Sequence, residues 1–562
     1  MNIDTPWLDF YGNIKKHFDY PDISIVDFLE ETVNKHSNLV AYNYFDKKVT
    51  YKDFFENIKE CAKALKTIGV NKGDRVTICM PNTPEAITCF YAVNMIGAIA
   101  NMIHPLSAES EIKFYLNASE SKIALVINVA FEKVKNIIDE TNLQKVIVAT
   151  PNMSMPTLLS FGYYFTKGRK IKIDYDERFI SYKEFINLGK KYNESFRVKM
   201  EGNDPAVILY SGGTTGTSKG IILSNLNFNA LAIQGEAMCD CLKPKDKILS
   251  IMPIFHGFGL GICIHTALYV GAEAIILPQF NVDTFDKLLR KYKPNILIGV
   301  PTLFEALLRN KNMEDVDLSC LKCVISGGDN LSINLKKKVD NFMQEHGSPC
   351  QIREGYGLTE CVAGTCLTLK NMYREGSIGI PYPDTYYKIV KPNTHDKLPY
   401  GETGEICISG PTVMLGYLNE PKETVHTIQL HEDGLTWLHT GDLGSMDKDG
   451  FVYFKNRLKR MIVSSGYNIY PQILENIIDD HPSVLYSTVI GVKDDYRGQI
   501  VKAFIVLKDG INPTEEVQES IKNYCKKNIA KYALPKEFEY RSSLPKTMVG
   551  KVNFKELEKT SE

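Results

Sequence analysis

The chain has 562 residues, of which 44% are hydrophobic and 24% charged, as is usual for a globular protein of about two to four domains. Its formal net charge of −1 supplies no overall positive field, so the composition argues against nucleic acid as a partner. The 13 cysteines are spread along the sequence, and we interpret them as reduced thiols of a cytoplasmic protein. The N-terminal stretch MNIDTPWLDFYG lacks the basic and apolar segments of a secretory signal, so none is expected.

The first 150 residues alternate between helical and strand patterns. Residues 1–48 open with helical patterns such as SIVDFLEETVNKH, and residues 49–51 predict a short strand before an amphipathic helix from Asp53 to Ile68. Further strands are predicted over residues 75–80, 124–128 and 145–149. Strands that alternate with helices predict βαβ units and a parallel sheet.

The longest apolar run, residues 86–103, could be mistaken for a membrane span. It barely reaches spanning length, and Asn94, Gly97 and Asn101 interrupt it. We therefore predict a buried helix followed by a buried strand, and no transmembrane segment.

Residues 150–203 break this alternation. Residues 158–165 are apolar and aromatic, and four basic residues follow within 167–172. A surface insertion that packs its own aromatic residues is one interpretation. A membrane-surface or partner-facing element is the other, so peripheral membrane contact stays open.

A loop rich in glycine and hydroxyl residues, YSGGTTGTSKG, runs from Tyr210 to Gly220 after a short apolar strand over residues 206–209. Glycines let backbone N–H groups approach an anion, hydroxyls add donors, and Lys219 adds a positive charge. The order of residues is not that of a Walker A loop, because Lys219 is preceded by Ser218 and followed by Gly220. The loop therefore predicts a polyphosphate site of another kind.

The second half of the chain predicts three further regions. Strands over residues 247–252, 274–277, 295–300 and 320–326, each followed by a helical pattern, indicate a second parallel sheet. Short strands with Gly and Pro turns over residues 378–453 indicate an antiparallel β-subdomain. After the basic stretch KNRLKR come about one hundred residues of alternating helix and strand. We place a domain boundary there, which gives domains 1–456 and 457–562.

Eight motifs together resemble one family. In order they are VTYKDF, YSGGTTGTSKG, PIFHGFG, GYGLTE, GETGEICISGPTVMLGY, TGDLG, NRLKRMIVSSGYNIYP and PKTMVGK. The chain resembles the adenylate-forming (ANL) superfamily, and within it the AMP-forming acyl-CoA synthetases, over residues 25 to 558. The resemblance implies an α/β fold: a large N-terminal AMP-binding domain of two α/β sheets and a β-subdomain, with a small mobile C-terminal α/β domain.

The resemblance implies an activity and its substrates. A carboxylate attacks the α-phosphate of ATP, with Mg²⁺, to give an acyl-adenylate and pyrophosphate, and coenzyme A then displaces AMP. It also implies a set of ATP-binding residues. The β- and γ-phosphate contacts would be Thr214, Thr215, Gly216, Thr217 and Lys219. The adenine, ribose and α-phosphate contacts would be Gly327, Gly328, Asp329, Gly355, Tyr356, Gly357, Thr359, Asp442 and Arg457.

The reacting groups follow from the same resemblance. Lys551 would carry the adenylation step, because an ammonium can bridge two anions. Glu360 and Thr215 would act in catalysis and hold the metal. His256 would form a gate between the acyl pocket and the thiol channel, although a satisfied core histidine is the alternative.

The small domain would present a second face for the thiol step. Lys459 matches the pivot of its rotation, and Gly466 would let the pantetheine arm pass. Two positions depart from the family pattern. Arg460 stands where an acid is usual, and Phe554 stands where an arginine is frequent. Both departures could alter how the small domain docks.

The expected acyl pocket lies over residues 254–261, 298–304, 326–329 and 356–364. The first stretch offers no acid to pair with an ammonium, so an amino acid substrate is not expected. Gly257, Gly259, Gly261 and Gly299 are expected to leave volume for a medium- or long-chain fatty acid or an aryl acid.

Three alternatives stay open. The chain could load the pantetheine of a carrier protein, bind nucleotide without ligating, or oxidise its adenylate as luciferases do. We expect a monomer or homodimer whose ligands are the acid, ATP and CoA.

Overall fold

The computed structural model describes residues 3–166, 168–211, 218–464, 467–494, 497–547 and 551–561, with only the backbone described at 459, 467 and 468. Within them, a first sheet has eight strands, of which the six from Pro205–Ser211 to the far edge are parallel. In spatial order its strands are Gly416–Tyr417, Lys219–Ser224, Pro205–Ser211, Ile99–Ile103, Arg75–Cys79, Ile123–Ile127, Lys145–Ala149 and Phe179–Ser181. This confirms the predicted parallel sheet.

A second sheet has nine described strands, with six parallel strands in the middle and antiparallel strands at both ends. In spatial order they are Ile380–Pro381, Gly364–Leu367, Ile352–Gly357, Cys323–Ser326, Ile296–Gly299, Lys247–Ser250, Glu273–Ile276, Val40–Tyr44 and Lys47–Thr50. The second parallel sheet is therefore confirmed. Its strand Val40–Tyr44 comes from a region predicted to open with helical patterns.

Two smaller sheets follow. The third is antiparallel and contains Tyr386–Val390, Gly404–Ser409, Thr436–Met446, Ile428–Leu430 and Val452–Arg457. This confirms the predicted β-subdomain. The fourth contains Tyr467–Ile469, Ile462–Ser464, Gly498–Leu507, Val484–Asp494 and Glu537–Tyr540.

The α-helices follow the predicted alternation, and side-chain caps begin several of them. The Ser24 and Thr50 hydroxyls accept the backbone N–H groups of Asp27 and Asp53, so the helix predicted from Asp53 begins at Tyr51 instead. The described α-helices are Ile25–His36, Tyr51–Thr67, Pro84–Met95, Glu109–Ser119, Phe131–Ile137, Thr157–Thr166, Tyr182–Gly189, Asn225–Cys239, Ala267–Val270, Phe285–Tyr292, Pro301–Arg309, Ile333–Glu345, Pro421–Thr427, Pro471–Asp479, Glu515–Asn528 and Phe554–Lys559. A π-helix, Phe258–Thr266, joins them.

The apolar run over residues 86–103 forms the buried helix Pro84–Met95 and the buried strand Ile99–Ile103, as predicted. No described helix is both long enough and apolar enough to cross a membrane.

The hydrophobic core divides along the chain. One cluster takes its buried residues from Trp7 to Val452, and the clusters of the C-terminal part take theirs from Ile462 to Leu557. The boundary between residues 456 and 457 falls in the gap between them and stays a prediction. The two parts touch across a cleft, where the Asn334 side chain donates to the Asp479 carbonyl at 3.0 Å.

Candidate active site

A cavity of about 980 Å³ is lined by residues of both parts of the chain. Its polar region lies at the carboxyl ends of the parallel strands Ile296–Gly299 and Cys323–Ser326, where open α/β sheets bind ligands. The predicted site residues that line it are Lys219, His256, Gly327, Gly328, Asp329, Gly355, Tyr356, Gly357, Thr359, Glu360, Asp442, Arg457 and Lys551. Thr214, Thr215, Gly216, Thr217 and Gly466 lie outside the described residues, as does the side chain of Lys459.

Lys551 reaches the cavity from the C-terminal part. A Cβ atom built on Gly328 would lie 3.9 Å from its Nζ, so the ammonium sits against the turn that follows Ser326. Gly328 has φ +79°, a conformation that side chains other than glycine disfavour. Burial lowers the pKa of Lys551, and the nearby Asp329 carboxylate opposes that effect. Lys551 is therefore a poorly hydrated cation beside carboxylates, ready to meet an anion.

Asp442 lies within the strand Thr436–Met446 of the third sheet and is buried. Its Oδ2 accepts the Tyr356 hydroxyl at 2.7 Å, and its Oδ1 lies 3.5 Å from Arg457 Nε. Burial raises the pKa of Asp442 although Arg457 lowers it. Tyr356 and Asp442, both predicted contacts of the nucleotide, are thus bonded to each other, a contact that sequence motifs did not reveal.

Glu360 lies in a 3₁₀ turn, Thr359–Cys361, directly after the GYGL segment. One carboxylate oxygen accepts the Tyr417 hydroxyl at 3.0 Å, and burial raises the pKa of Glu360. Tyr417 belongs to the motif GETGEICISGPTVMLGY, but no feature of that motif pointed to a role for it. A half-buried carboxylate that lines the cavity and whose side-chain partner, Tyr417, is neutral fits a divalent cation, which favours carboxylate oxygens.

Lys219 is the first residue of the strand that follows the glycine-rich loop. It forms an ion pair with Glu423, and its Nζ lies 5.0 Å from the centre of the Tyr417 ring. The Lys219 ammonium is therefore already paired with a carboxylate, and a bound phosphate would have to displace Glu423 from it.

His256 is in contact with the same cavity. Its Nδ1 accepts the Phe258 N–H at 3.2 Å, which places the ring proton of the neutral form on Nε2. Burial and the charge of Lys551 lower the pKa of His256 to about 3, so the ring is neutral near pH 7. A neutral ring that lines the cavity is compatible with a gate but supplies no charge.

The four glycines that were expected to leave volume in the acyl pocket pack closely against neighbouring atoms instead. A Cβ atom at Gly257 would lie 1.6 Å from the Val362 carbonyl oxygen, and one at Gly259 would lie 2.2 Å from the Pro253 oxygen. At Gly261 and Gly299 it would meet leucine side chains at 2.7 and 2.2 Å. The expectation was wrong because these glycines allow close packing of backbone and side chains, not open space.

An apolar region of the cavity provides the volume instead. Its walls come from the second sheet and the helix Asn225–Cys239, and include Cys239, Leu242, Ile248, Ile296, Ile325, Leu367 and Tyr382. Glu354, which the sequence did not single out, also lines the cavity. Burial raises its pKa to about 8, so at pH 7 it is neutral and supplies no standing counter-charge for an ammonium.

The two departures from the family pattern contact each other. The Arg460 guanidinium carbon lies 3.4 Å from the centre of the Phe554 ring, and Arg460 also donates to Glu475 at 3.0 Å. Phe554 stands three residues after Lys551. This stack therefore attaches the segment that carries Lys551 to the body of the C-terminal part.

Comparison with known proteins identifies the family of the chain. Residues 29–418 match the family model described as AMP-binding enzyme, and residues 474–551 match the AMP-binding enzyme C-terminal domain. The chain belongs to the AMP-binding enzyme family. The long-chain-fatty-acid–CoA ligase of Bacillus subtilis strain 168 is 32% identical over 98% of this chain and 97% of its own length. The 4-coumarate:CoA ligase 1 of Petunia hybrida is 29% identical over 90% of this chain and 88% of its own.

Solved structures of the family have the same fold. The anthranilate CoA ligase AuaEII in complex with anthranoyl-AMP superposes with a TM-score of 0.84 and 24% identity, covering 98% of this chain and 99% of its own. The predicted α/β architecture and the predicted class are confirmed: the chain is an acid–thiol ligase of the AMP-forming acyl-CoA synthetase type. ATP and CoA are substrates of this family's CoA ligases.

Proposed function

We propose that the acid substrate is a medium- or long-chain fatty acid and that its acceptor is free coenzyme A. The apolar region of the cavity carries this proposal, because its walls are largely aliphatic and the same cavity is lined by Gly327 and Gly328. A carboxylate at that turn, with its chain against the second sheet, would bury apolar carbon at about 25 cal/mol per Å². The long-chain-fatty-acid–CoA ligases that match over nearly the whole chain support the same choice.

Lys551 would supply the charge for the first step. The acid oxygen forms a bond to the α-phosphorus of ATP while the bond to pyrophosphate breaks, and both reacting groups are anions. A partly dehydrated ammonium between them would stabilise the negative charge of the transition state. Its approach to Gly328 and Asp329 supports this role.

The nucleotide would lie between Tyr356, Asp442 and Arg457. Asp442 keeps acceptor capacity on both oxygens for ribose hydroxyls even while Tyr356 donates to it. Gly327, Gly355 and Gly357 would let the nucleotide approach the backbone, and Thr359 would contact the α-phosphate. Residues 214–217 and Lys219 would hold the β- and γ-phosphates, with Lys219 leaving Glu423.

Glu360 would hold a magnesium ion, together with Thr215. The ion would neutralise phosphate charge when bound. Glu360 fits this use because it is a half-buried carboxylate whose side-chain hydrogen-bond partner, Tyr417, is neutral.

In the second step the CoA sulfur forms a bond to the acyl carbon and AMP leaves. His256 would separate the acyl region from the thiol path, and Gly466 would line that path after the domain of residues 457–562 turns about Lys459. A carrier-protein pantetheine is the alternative acceptor, since both acceptors would use this path. We also infer a cytoplasmic location, which the 13 free cysteines support.

A panel of acids tests the proposal. Pyrophosphate release would be measured with ATP and Mg²⁺ for acetate, hexanoate, laurate, palmitate, benzoate and 4-coumarate, each with and without CoA. We expect multiple turnovers only with CoA and the highest kcat/KM for laurate or palmitate. Preference for benzoate or 4-coumarate would contradict the fatty-acid assignment, and a single burst unaffected by CoA would favour a carrier protein.

A further inference from the structure

The insertion between the first sheet's strands Lys145–Ala149 and Phe179–Ser181 carries an exposed apolar helix. The helix, Thr157–Thr166, contains no charged residue and buries none of its side chains. Leu158 is 83% exposed, Phe161 59% and Phe165 58%, while Leu159 and Tyr164 are also exposed. A surface insertion was one prediction, and its position is confirmed. Its large apolar residues nevertheless face solvent instead of packing in a core.

The helix has an inner and an outer side. The Asn152 side chain donates to the Ser160 hydroxyl at 3.0 Å, and the Asn128 side chain donates to the Tyr163 hydroxyl at 3.4 Å. Ser160 and Tyr163 therefore fix the helix to the body of the protein through polar contacts. Leu158, Phe161 and Phe165 share the opposite face of the helix by their spacing and are exposed, and the Phe165 ring meets the Tyr164 ring edge-on at 5.6 Å.

Basic residues border this outer side. Arg169, Lys170 and Lys172 are exposed and form no ion pair with any described residue. Of the acids that follow, Asp174 pairs with Lys135 at 3.0 Å, whereas the exposed Glu177 forms no ion pair with any described residue. Residues 157–172 themselves contain no acid, so this stretch joins exposed positive charge to exposed aromatic and aliphatic side chains.

We propose that residues 157–172, the membrane-docking segment, bind the surface of an anionic lipid bilayer. Aromatic side chains favour the boundary between headgroups and acyl chains, and a helix of this kind lies in the interface rather than across it. Lysine and arginine beside such a helix attract anionic headgroups. The basic residues beside the helix favour an anionic lipid surface over an uncharged apolar groove on a protein, because only the lipid surface would pair with their charge.

The consequence for catalysis rests on the function proposed above. A long-chain fatty acid partitions into bilayers, so an enzyme held at the bilayer surface would meet its substrate there. Vesicles should therefore change KM for palmitate but leave KM for hexanoate unchanged, because hexanoate stays in water.

The binding test needs neither ATP nor acid, so it is independent of the ligase activity. The full-length protein is sedimented with vesicles of phosphatidylcholine and phosphatidylglycerol at three to one, and with vesicles of phosphatidylcholine alone. We expect binding to the anionic vesicles that weakens from 0.1 to 0.5 M salt. Replacing Leu158, Phe161 and Phe165 by Ser should lower the partition coefficient by on the order of a hundredfold.

Matched controls distinguish binding through the membrane-docking segment from nonspecific binding of vesicles to other exposed surfaces. Val425 and Leu430 are 72% and 69% exposed on another part of the protein, so the change of both to Ser should leave binding unaltered. Replacing Arg169, Lys170 and Lys172 by Gln should lower the partition coefficient for anionic vesicles about fivefold per residue. The same charge change at the exposed Lys526, Lys527 and Lys531 of the C-terminal part should lower that coefficient far less.

Fluorescence reports insertion directly. The native Trp7 and Trp437 are fully buried, so they should not respond to vesicles. Phe161→Trp should shift its emission to the blue when anionic vesicles are added, and Val425→Trp should not. Equal binding by the triple-serine variant and the unchanged protein would overturn the proposal. So would self-association that the serine changes abolish in the absence of vesicles. If the protein binds vesicles but forms no acyl-CoA from palmitate, the proposed fatty-acid substrate is refuted, whereas the proposal of the membrane-docking segment stands.

Discussion

The stack of Arg460 on Phe554 predicts a measurable effect on one half-reaction only. Arg460 closes the 3₁₀ turn Leu458–Arg460, and Phe554 begins the helix that follows Lys551. A guanidinium over an aromatic ring contributes about 0.5–1 kcal/mol when exposed and about 2 kcal/mol when desolvated. The Arg460 side chain is 19% exposed and also bound to Glu475, so a coupling of about 1.5 kcal/mol is expected.

The perturbation is a double-mutant cycle of Arg460→Ala and Phe554→Ala. Each single change should free the Lys551 segment and slow acyl-adenylate formation about tenfold, since 1.4 kcal/mol corresponds to a factor of ten. The double variant should be little slower than either single one. The rate is measured in a single turnover as pyrophosphate release with a saturating fatty acid.

Two controls make the result interpretable. Thiolysis of supplied acyl-adenylate should be unaffected, because the role proposed for Lys551 is confined to adenylation. Arg541→Ala removes a comparable contact, in which the guanidinium carbon lies 4.8 Å from the Phe504 ring centre, and should leave adenylation unchanged. Additive losses in the cycle, or an equal loss of thiolysis, would refute the idea that the stack positions Lys551.

The remaining predictions concern pH and backbone approach. In the roles proposed here, Lys551 must be protonated and Glu360 ionised for adenylation. Because the pKa of Lys551 is lowered from 10.5, the rate should fall as pH rises toward a value below 10.5. Because the pKa of Glu360 is raised from 4.5, the rate should also fall as pH drops toward a value above 4.5. A pH–kcat profile checks this, and an alkaline limb that persists in Lys551→Arg at the same pH would contradict it. Gly357→Ala would place a Cβ atom 1.5 Å from the Ala363 oxygen, so the protein should lose about 3 kcal/mol of stability and its ATP binding. A Cβ atom at Gly162 would meet nothing within 4 Å, so Gly162→Ala should lose neither. Equal denaturation midpoints for the two variants would refute the packing argument.

Motifs of fixed spacing led to many of the residues that line the cavity. The segment from Gly355 to Glu360 lies on one strand and the turn after it, so its sequence order nearly determines its geometry. Asp442 and Lys551 were assigned by resemblance, and the cavity lining includes both. Such residues were recognisable because the local chain direction and a short motif define each of them.

Contacts between distant segments were not predictable in the same way. Nothing in the motifs indicates that Tyr356 donates to Asp442, that Lys219 pairs with Glu423, or that Arg460 covers Phe554. Each of these pairs forms only when separate elements pack. The strand Val40–Tyr44 illustrates the same limit, because its neighbour Glu273–Ile276 is far along the chain.

Glycines show a second limit of sequence reasoning. A glycine beside a predicted pocket can widen the pocket or let two backbones meet, and the sequence is the same in both cases. At Gly257 and Gly259 a carbonyl oxygen lies where a Cβ atom would stand, so these two glycines allow close packing of the backbone. The volume of the acyl region instead depends on how the second sheet and the helix Asn225–Cys239 are spaced.

The central claim is that Lys551 supplies the charge for adenylation and not for thiol transfer. The most direct measurement compares single-turnover acyl-adenylate formation from ATP and palmitate in the unchanged protein and in Lys551→Ala, with thiolysis of supplied palmitoyl-adenylate by CoA measured on the same preparations. Loss of one such electrostatic group should slow adenylation by about a hundredfold to a thousandfold and leave thiolysis within about twofold. Adenylation at the unchanged rate in Lys551→Ala, or equal loss of both half-reactions, would contradict the account.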